Sequence, residues 1–233
     1  MPLLIRELRN DSGEVVPIRE DIRQLLAYFE REAHLRFEIR YYPMNRLLSN
    51  AKAGEGIVFG LSKTSERLHS LRFSEPIYAN YVWLVTRQDA DISFNEIGDL
   101  KGKTIGVVRG VSYGDEFEQQ KHSMFTVEDD ASSYVARLRK LTSKRMDIML
   151  FGDRRSDPKE VELYLRKLQQ LDQTRPPEKS ETEFKVLNKP LRNDELHFAA
   201  ALHKHDAVMD QLNKAILTGK TSGELKRILL PPK

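Results

Sequence analysis

The sequence predicts an α/β protein of two lobes, each a mixed, mostly parallel sheet flanked by helices, with a ligand cleft between them. Three observations predict it. Between Thr104 and Leu168, short apolar runs rich in Val and Ile alternate with segments of helical spacing, and βα repetition of that kind builds parallel sheets. A longer strand, Tyr78 to Arg87, leads out of one α/β block and into the next. A later strand, Leu196 to Leu202, reads as the chain returning to the first block. The expected lobes are therefore residues 1–87 with 195–233, and residues 88–194.

The elements follow in order. Leu3 to Leu8 reads as a strand, and Asp11-Ser12-Gly13 as the turn after it. Ile22, Leu25, Leu26 and Phe29 mark one face of a helix. Phe37 to Tyr41 alternates as a strand does, Met44 to Lys52 resumes helical spacing, and Gly54-Glu55-Gly56 ends that helix before the buried strand Ile57 to Leu61. A helical turn at Glu96 to Leu100 precedes the strand Thr104 to Val108. A helix near Tyr113 to Gln120, a strand near Met124 to Val127, a helix from Ser132 to Leu141 and a strand from Met146 to Phe151 extend the alternation. Pro158 suits a first helical turn, with Val161, Leu163, Leu165 and Leu168 behind it. Gln173 to Glu181 is a polar loop, Phe184 to Leu187 a strand, and helices near Asp206 to Leu217 and Ser222 to Leu229 close the chain.

Composition narrows the function classes. The 233 residues include 38 Lys and Arg against 35 Asp and Glu, a slim balance of +3. Nucleic-acid binding needs clustered basic residues. The richest runs, such as Arg137-Leu138-Arg139-Lys140 and Arg154-Arg155, are short and read as solvated faces. The absence of cysteine excludes disulfides, thiolate metal sites and cysteine nucleophiles. No apolar stretch approaches the roughly 20 residues of a membrane span. His203 and His205 lie two apart, on one face if the segment is a strand, but no third ligand stands near them. Neither a metal nor a cofactor is expected.

The chemically informative segment is Gly60-Leu61-Ser62-Lys63-Thr64-Ser65-Glu66-Arg67, a buried strand followed by hydroxyl residues and a helix start. Free N–H groups and an arginine fork there suit a carboxylate. The same residues also suit a plain cap, with Thr64 or Ser65 closing the helix and Arg67 pairing at the surface.

Downstream stand Leu71-Arg72-Phe73-Ser74-Glu75-Pro76-Ile77-Tyr78 and Ile97-Gly98-Asp99-Leu100-Lys101-Gly102-Lys103-Thr104-Ile105-Gly106-Val107. In this order and spacing the three segments resemble the extracellular solute-binding proteins of family 3, the amino-acid-binding proteins of ABC transporters. The resemblance runs from Ile22 to the terminal helices and implies the type II periplasmic binding fold. It implies that Arg67 binds a ligand carboxylate with Ser62 and Thr64, that Ser112 answers from the second lobe, and that Met44 lies over the ligand. It implies an acid after the strand Met146 to Phe151 for the ligand's ammonium. Asp153 is nearest, one position late, with Gly152 where the acid belongs. The stacking aromatic after the first strand is missing from Arg9-Asn10-Asp11-Ser12-Gly13-Glu14.

The implied function is capture of a small anionic or zwitterionic solute by hinge closure, for delivery to an ABC transporter permease or a sensor receptor. A periplasmic monomer is expected, without membrane insertion, nucleic acid or catalytic residues, and with any secretory signal removed ahead of Met1. Arg67 is expected to be open to water when the site is empty. Two other readings share the fold. A cyclic-acid dehydratase needs a cleft acid of raised pKa, for which Glu7 or Asp153 are the candidates. The effector domain of a transcription regulator needs a DNA-binding segment upstream.

Overall fold

The computed structural model describes residues 1–10, 13–130, 133–171 and 183–229. The polar loop read at Gln173 to Glu181, and Asp11 and Ser12 of the first turn, lie outside the described residues. The chain forms two compact units, the first Met1–Leu8, Val15–Ala79 and Glu195–Lys233, the second Arg9–Glu14 and Asn80–Asp194.

The first unit is built on strands β1 (Pro2–Arg6), β2 (Glu38–Tyr42) and β3 (Ile57–Ser62), the start of β4 (Leu71–Arg87) and most of β9 (Arg192–Ala201). Its strand order is β2-β1-β3-β9-β4. β1 runs parallel to β2 and β3, and β9 inserts antiparallel to β3, with Val58 opposite Ala199 and Ser62 opposite Leu196. The register shifts between Phe59 and Leu61, where Gly60 takes a positive φ of 75° that a side chain would resist.

Alternation along the strands serves two cores. Leu3 and Ile5 face Leu25 and Phe29 of α1 (Glu20–Glu32) and Met209, Leu212 and Ile216 of α7 (Asp206–Thr221). Leu4, Val58 and Ala199 face Leu47 and Ala51 of α2 (Met44–Lys52). Phe198 joins the first core, its ring meeting Phe29 at 5.0 Å and Phe59 at 5.5 Å edge to face. Tyr28 donates its buried hydroxyl to the carbonyl of Ala215 at 2.8 Å. Gly219 makes that approach feasible, since a Cβ there would lie 2.5 Å from the Tyr28 oxygen. α8 (Glu224–Leu229) closes this corner with Leu225.

The second unit takes the rest of β4, with β5 (Thr104–Val108), β6 (Thr126–Asp130), β7 (Ile148–Asp153) and β8 (Phe184–Val186). β5 is parallel to β6 and β7, while β7 and β8 run antiparallel to β4. Val82 and Leu84 turn to one core, with Ile105 and Phe117 of α4 (Asp115–Gln120). Trp83 and Val85 turn to the other, with Leu138 of α5 (Tyr134–Thr142) and Val161 and Leu165 of α6 (Pro158–Leu171). The first unit ends at Ala79 rather than Arg87 because Tyr81 to Thr86 are paired with β7, and their side chains belong to the second unit's cores.

Two further readings are corrected. β4 starts at Leu71, not Tyr78, and contains Pro76, which lies ahead of the stretch from Tyr81 to Thr86 that pairs with β7. Arg137 belongs to no solvated face. It is 0% exposed and donates Nη2 to the carbonyls of Gly106 and Leu150. β5 pairs with β7 as far as Gly106 opposite Met149, and the guanidinium bonds the carbonyls of Gly106 and Leu150 beside that pair.

Phe198→Ala is expected to lower stability by about 3–5 kcal/mol, the usual cost of deleting a core aromatic. Urea unfolding followed by circular dichroism measures it, and a cost below about 1 kcal/mol would mean that the returning strand is not a core element of the first unit.

Candidate functional site

The end of β3 carries the first group of candidate residues. Ser62, its last residue, is buried. Thr64 is extended at φ −136° and caps α3 (Ser65–Leu68), accepting the Arg67 backbone N–H on its hydroxyl at 3.3 Å. α3 is a single turn of four residues, so the helix start read from the sequence opens only a short corner. That corner folds Arg67 back on the strand. Its Nη1 donates to the Ser62 carbonyl at 2.8 Å, and the residue is 5% exposed, so the water-open arginine that was expected is replaced by a buried one. Met44 opens α2 after Pro43 and is partly buried against the Leu4 and Leu47 core. Ser62, Thr64 and Arg67 are thus brought together, and Met44 lies in the same unit.

In the second unit, Ser112 lies in the loop between β5 and α4 and accepts the Gly114 N–H at 3.4 Å. Gly114 has φ +101°, and a Cβ there would collide with Nη1 of Arg192, whose Cδ and Cζ stand 3.3 Å away. Asp153 ends β7 and is 6% exposed. It is matched within its own unit. Arg155 donates its backbone N–H to Oδ1 at 2.9 Å and its Nη1 to Oδ1 at 2.8 Å and Oδ2 at 2.9 Å. Arg155 is held in turn, since Trp83 Nε1 donates to its carbonyl at 3.0 Å and its guanidinium lies 4.2 Å over the Tyr164 ring. Gly152 is exposed, with nothing within 4 Å of an added Cβ. The Arg155 and Arg192 contacts went unread in the sequence. The dipeptide Arg154-Arg155 was visible there, but Arg192 has no local signal, since it meets Gly114 only through the fold.

The other motif residues carry structure. Ser74 accepts the Phe198 N–H on Oγ at 2.9 Å and meets His197 Nδ1 through its carbonyl at 2.8 Å, tying β4 to β9. Arg72 bridges to Asp206 and Asp210 of α7. Asp99 accepts the Asn95 and Glu96 N–H groups, and those bonds hold its carboxyl below the usual range. The cap therefore contributes above the ordinary carboxylate pKa and is lost as pH falls through the lowered folded value. His203 and His205 follow β9 in a turn, not a strand, both with positive φ. Among the described residues no group of three or more His, Cys, Asp and Glu could hold a metal, and no helix is long and apolar enough to cross a membrane.

The sequence profile of the bacterial extracellular solute-binding proteins, family 3, matches residues 8–230. The chain belongs to that family. Its role is to bind a solute. Similar to it is the arginine-binding periplasmic protein of Mannheimia haemolytica, 26% identical over 224 residues, 95% of this chain and 84% of that protein. Solved family-like structures share the fold. The GluR0 ligand-binding core of Nostoc punctiforme in complex with L-glutamate has a TM-score of 0.71 at 17% identity, over 97% of this chain and 96% of its own. The amino acid ABC transporter substrate-binding protein AbpA of Streptococcus pneumoniae bound to L-arginine has 0.69 at 18%, over 98% and 92%. These likenesses join a mixed α/β fold with mostly parallel sheets to a family of binding proteins rather than enzymes.

The cap can be tested alone. Thr64→Val is expected to cost about 1 kcal/mol, the value of an N-cap hydroxyl, while Thr64→Ser keeps most of it. Urea unfolding of both variants checks this, and equal stability of Thr64→Val and the parent would show that the hydroxyl does not hold the corner.

Proposed function

We propose that this family member captures a small carboxylate-bearing solute in the periplasm and presents it to an ABC transporter permease, as a monomer and without turnover. The single observation that supports this reading is the buried Arg67, held at the end of β3 by the Thr64 cap and the Ser62 carbonyl. A guanidinium in that setting is pre-oriented and poorly hydrated, so a carboxylate that reaches it gains a strong charge-assisted pair at little ordering cost. In the proposal Ser62 and Thr64 add hydroxyl contacts, Met44 covers the ligand, and Ser112 joins from the second unit when the two units close. The backbone crosses between the units at Leu8–Arg9, Glu14–Val15, Ala79–Asn80 and Asp194–Glu195, and segments that cross between units are where a hinge can turn. The ligand shifts the open and closed populations by its greater affinity for the closed form. Arginine and glutamate, named for the similar proteins above, both carry the required carboxylate.

The test begins with a thermal-shift screen over amino acids and small carboxylates, followed by calorimetry on the best binder. Arg67→Ala is expected to weaken that binder by about ten- to a hundredfold, from a lost charge-assisted bond of roughly 1.5–3 kcal/mol. Arg67→Lys recovers only part, because an ammonium lacks the planar fork. The buried Ser62 contact adds a stability cost of about 1 kcal/mol to Arg67→Ala, read separately by denaturation. Unchanged affinity in Arg67→Ala would remove Arg67 from the site.

A further inference from the structure

In open α/β sheets, ligands bind beyond the carboxyl ends of parallel strands. In the second unit those ends belong to β5, which leads to Ser112 and Gly114, and to β7, which ends in Gly152 and Asp153. A zwitterionic amino acid needs an anionic acceptor for its ammonium at such an end. The acid present is already engaged: both oxygens of Asp153 accept from Arg155, and Trp83 and Tyr164 fix Arg155 in place. Its neighbour Gly152 has no side chain to offer. At the β5 end the nearby side chain is a cation, Arg192, whose guanidinium lies against the backbone of Gly114, two positions from Ser112. Asp194 bridges to its Nη2 at 3.0 Å, and the side chain keeps 29% exposure.

We infer that the second unit's share of the site accepts an anionic group through Arg192 and Ser112, so that the preferred ligand is a small dicarboxylate without an α-ammonium. Arg192 is thereby a binding residue. This rests on the carboxylate reading of Arg67, which supplies the other anion contact. The glycine at 114 is then functional, because only a residue without Cβ lets the guanidinium lie against the backbone at that position.

Calorimetry on the whole chain with matched pairs tests it: succinate against L-aspartate, glutarate against L-glutamate, and 5-guanidinovalerate against L-arginine. In the parent, a dicarboxylate is expected to bind about tenfold or more tighter than its α-amino partner and tighter than L-arginine. Arg192→Gln should weaken that dicarboxylate by about tenfold. Gly152→Asp, at an exposed position with room for a side chain, should reverse the preference toward the amino acid. Tighter binding of the amino acids by the parent, with binding still lost in Arg67→Ala, would overturn this inference and leave the carboxylate reading standing. An unchanged dicarboxylate affinity in Arg192→Gln would overturn it as well. Binding indifferent to Arg67→Ala, or no binding by any of the six compounds, would overturn both.

Discussion

The antiparallel register of β9 on β3 is the constraint on which the first unit depends. β9 arrives after the whole second unit has been laid down in sequence, yet it lies between β3 and β4 and supplies Phe198 and Ala200 to one core and Ala199 to the other. Without it, β3 would present an open edge, and α1 would lose the ring contact between Phe29 and Phe198. The first unit therefore cannot close from its N-terminal segment alone, and its formation carries the loop entropy of a very long insertion. That entropy grows only logarithmically with length. A second unit of more than a hundred residues is tolerable for this reason, and the polar links from Ser74 to Phe198 and His197 lock the register once it forms.

The same register aims the Arg67 corner. Ser62 lies opposite Leu196 at the end of the β3–β9 ladder, so the chain leaves the sheet at Lys63 and turns at once through the Thr64 cap. The one-turn α3 then has little freedom. Its first residues are tied by the cap and its guanidinium by the Ser62 carbonyl. A buried charge is costly unless it is hydrogen-bonded or paired. Keeping Arg67 inside therefore requires such partners, and the Ser62 carbonyl is one of them.

Much of this was legible in the sequence. Met44 to Lys52 and Thr104 to Val108 match α2 and β5 residue for residue, because both are bounded by strong local signals: Pro43 and the Gly54–Gly56 run for the helix, Gly102 and Gly110 for the strand. The Thr64-to-Arg67 spacing correctly implied a cap, since that geometry is local. What the sequence hid were contacts between distant segments. Arg137 sat in a basic run and read as solvated, yet it satisfies carbonyls of β5 and β7. The β4 strand read short because a proline discourages a strand assignment, and Pro76 lies ahead of the stretch that pairs with β7. Arg155 lies two residues from Asp153 and was visible, but whether it turns back onto that carboxylate depends on Trp83 and Tyr164, which come from β4 and α6.

That last dependence bears on how a binding protein changes ligand class. A buried carboxylate is available to a ligand only if nothing nearer satisfies it. Arg155, donating to both oxygens of Asp153, pre-empts any diffusing ammonium because its effective concentration is high and its ordering is already complete, whereas the single bridge from Asp194 leaves Arg192 29% exposed. For a ligand ammonium to win Asp153, Arg155 would have to leave its stack on Tyr164 and its three donations, exchanging an intramolecular pair for an intermolecular one. Such an exchange is unfavourable by the translational and rotational freedom the ligand loses on binding. On the proposed reading, an acid one position late, with a nearby arginine to meet it, cancels an ammonium subsite while the fold, the Arg67 corner and the strand order remain as they are.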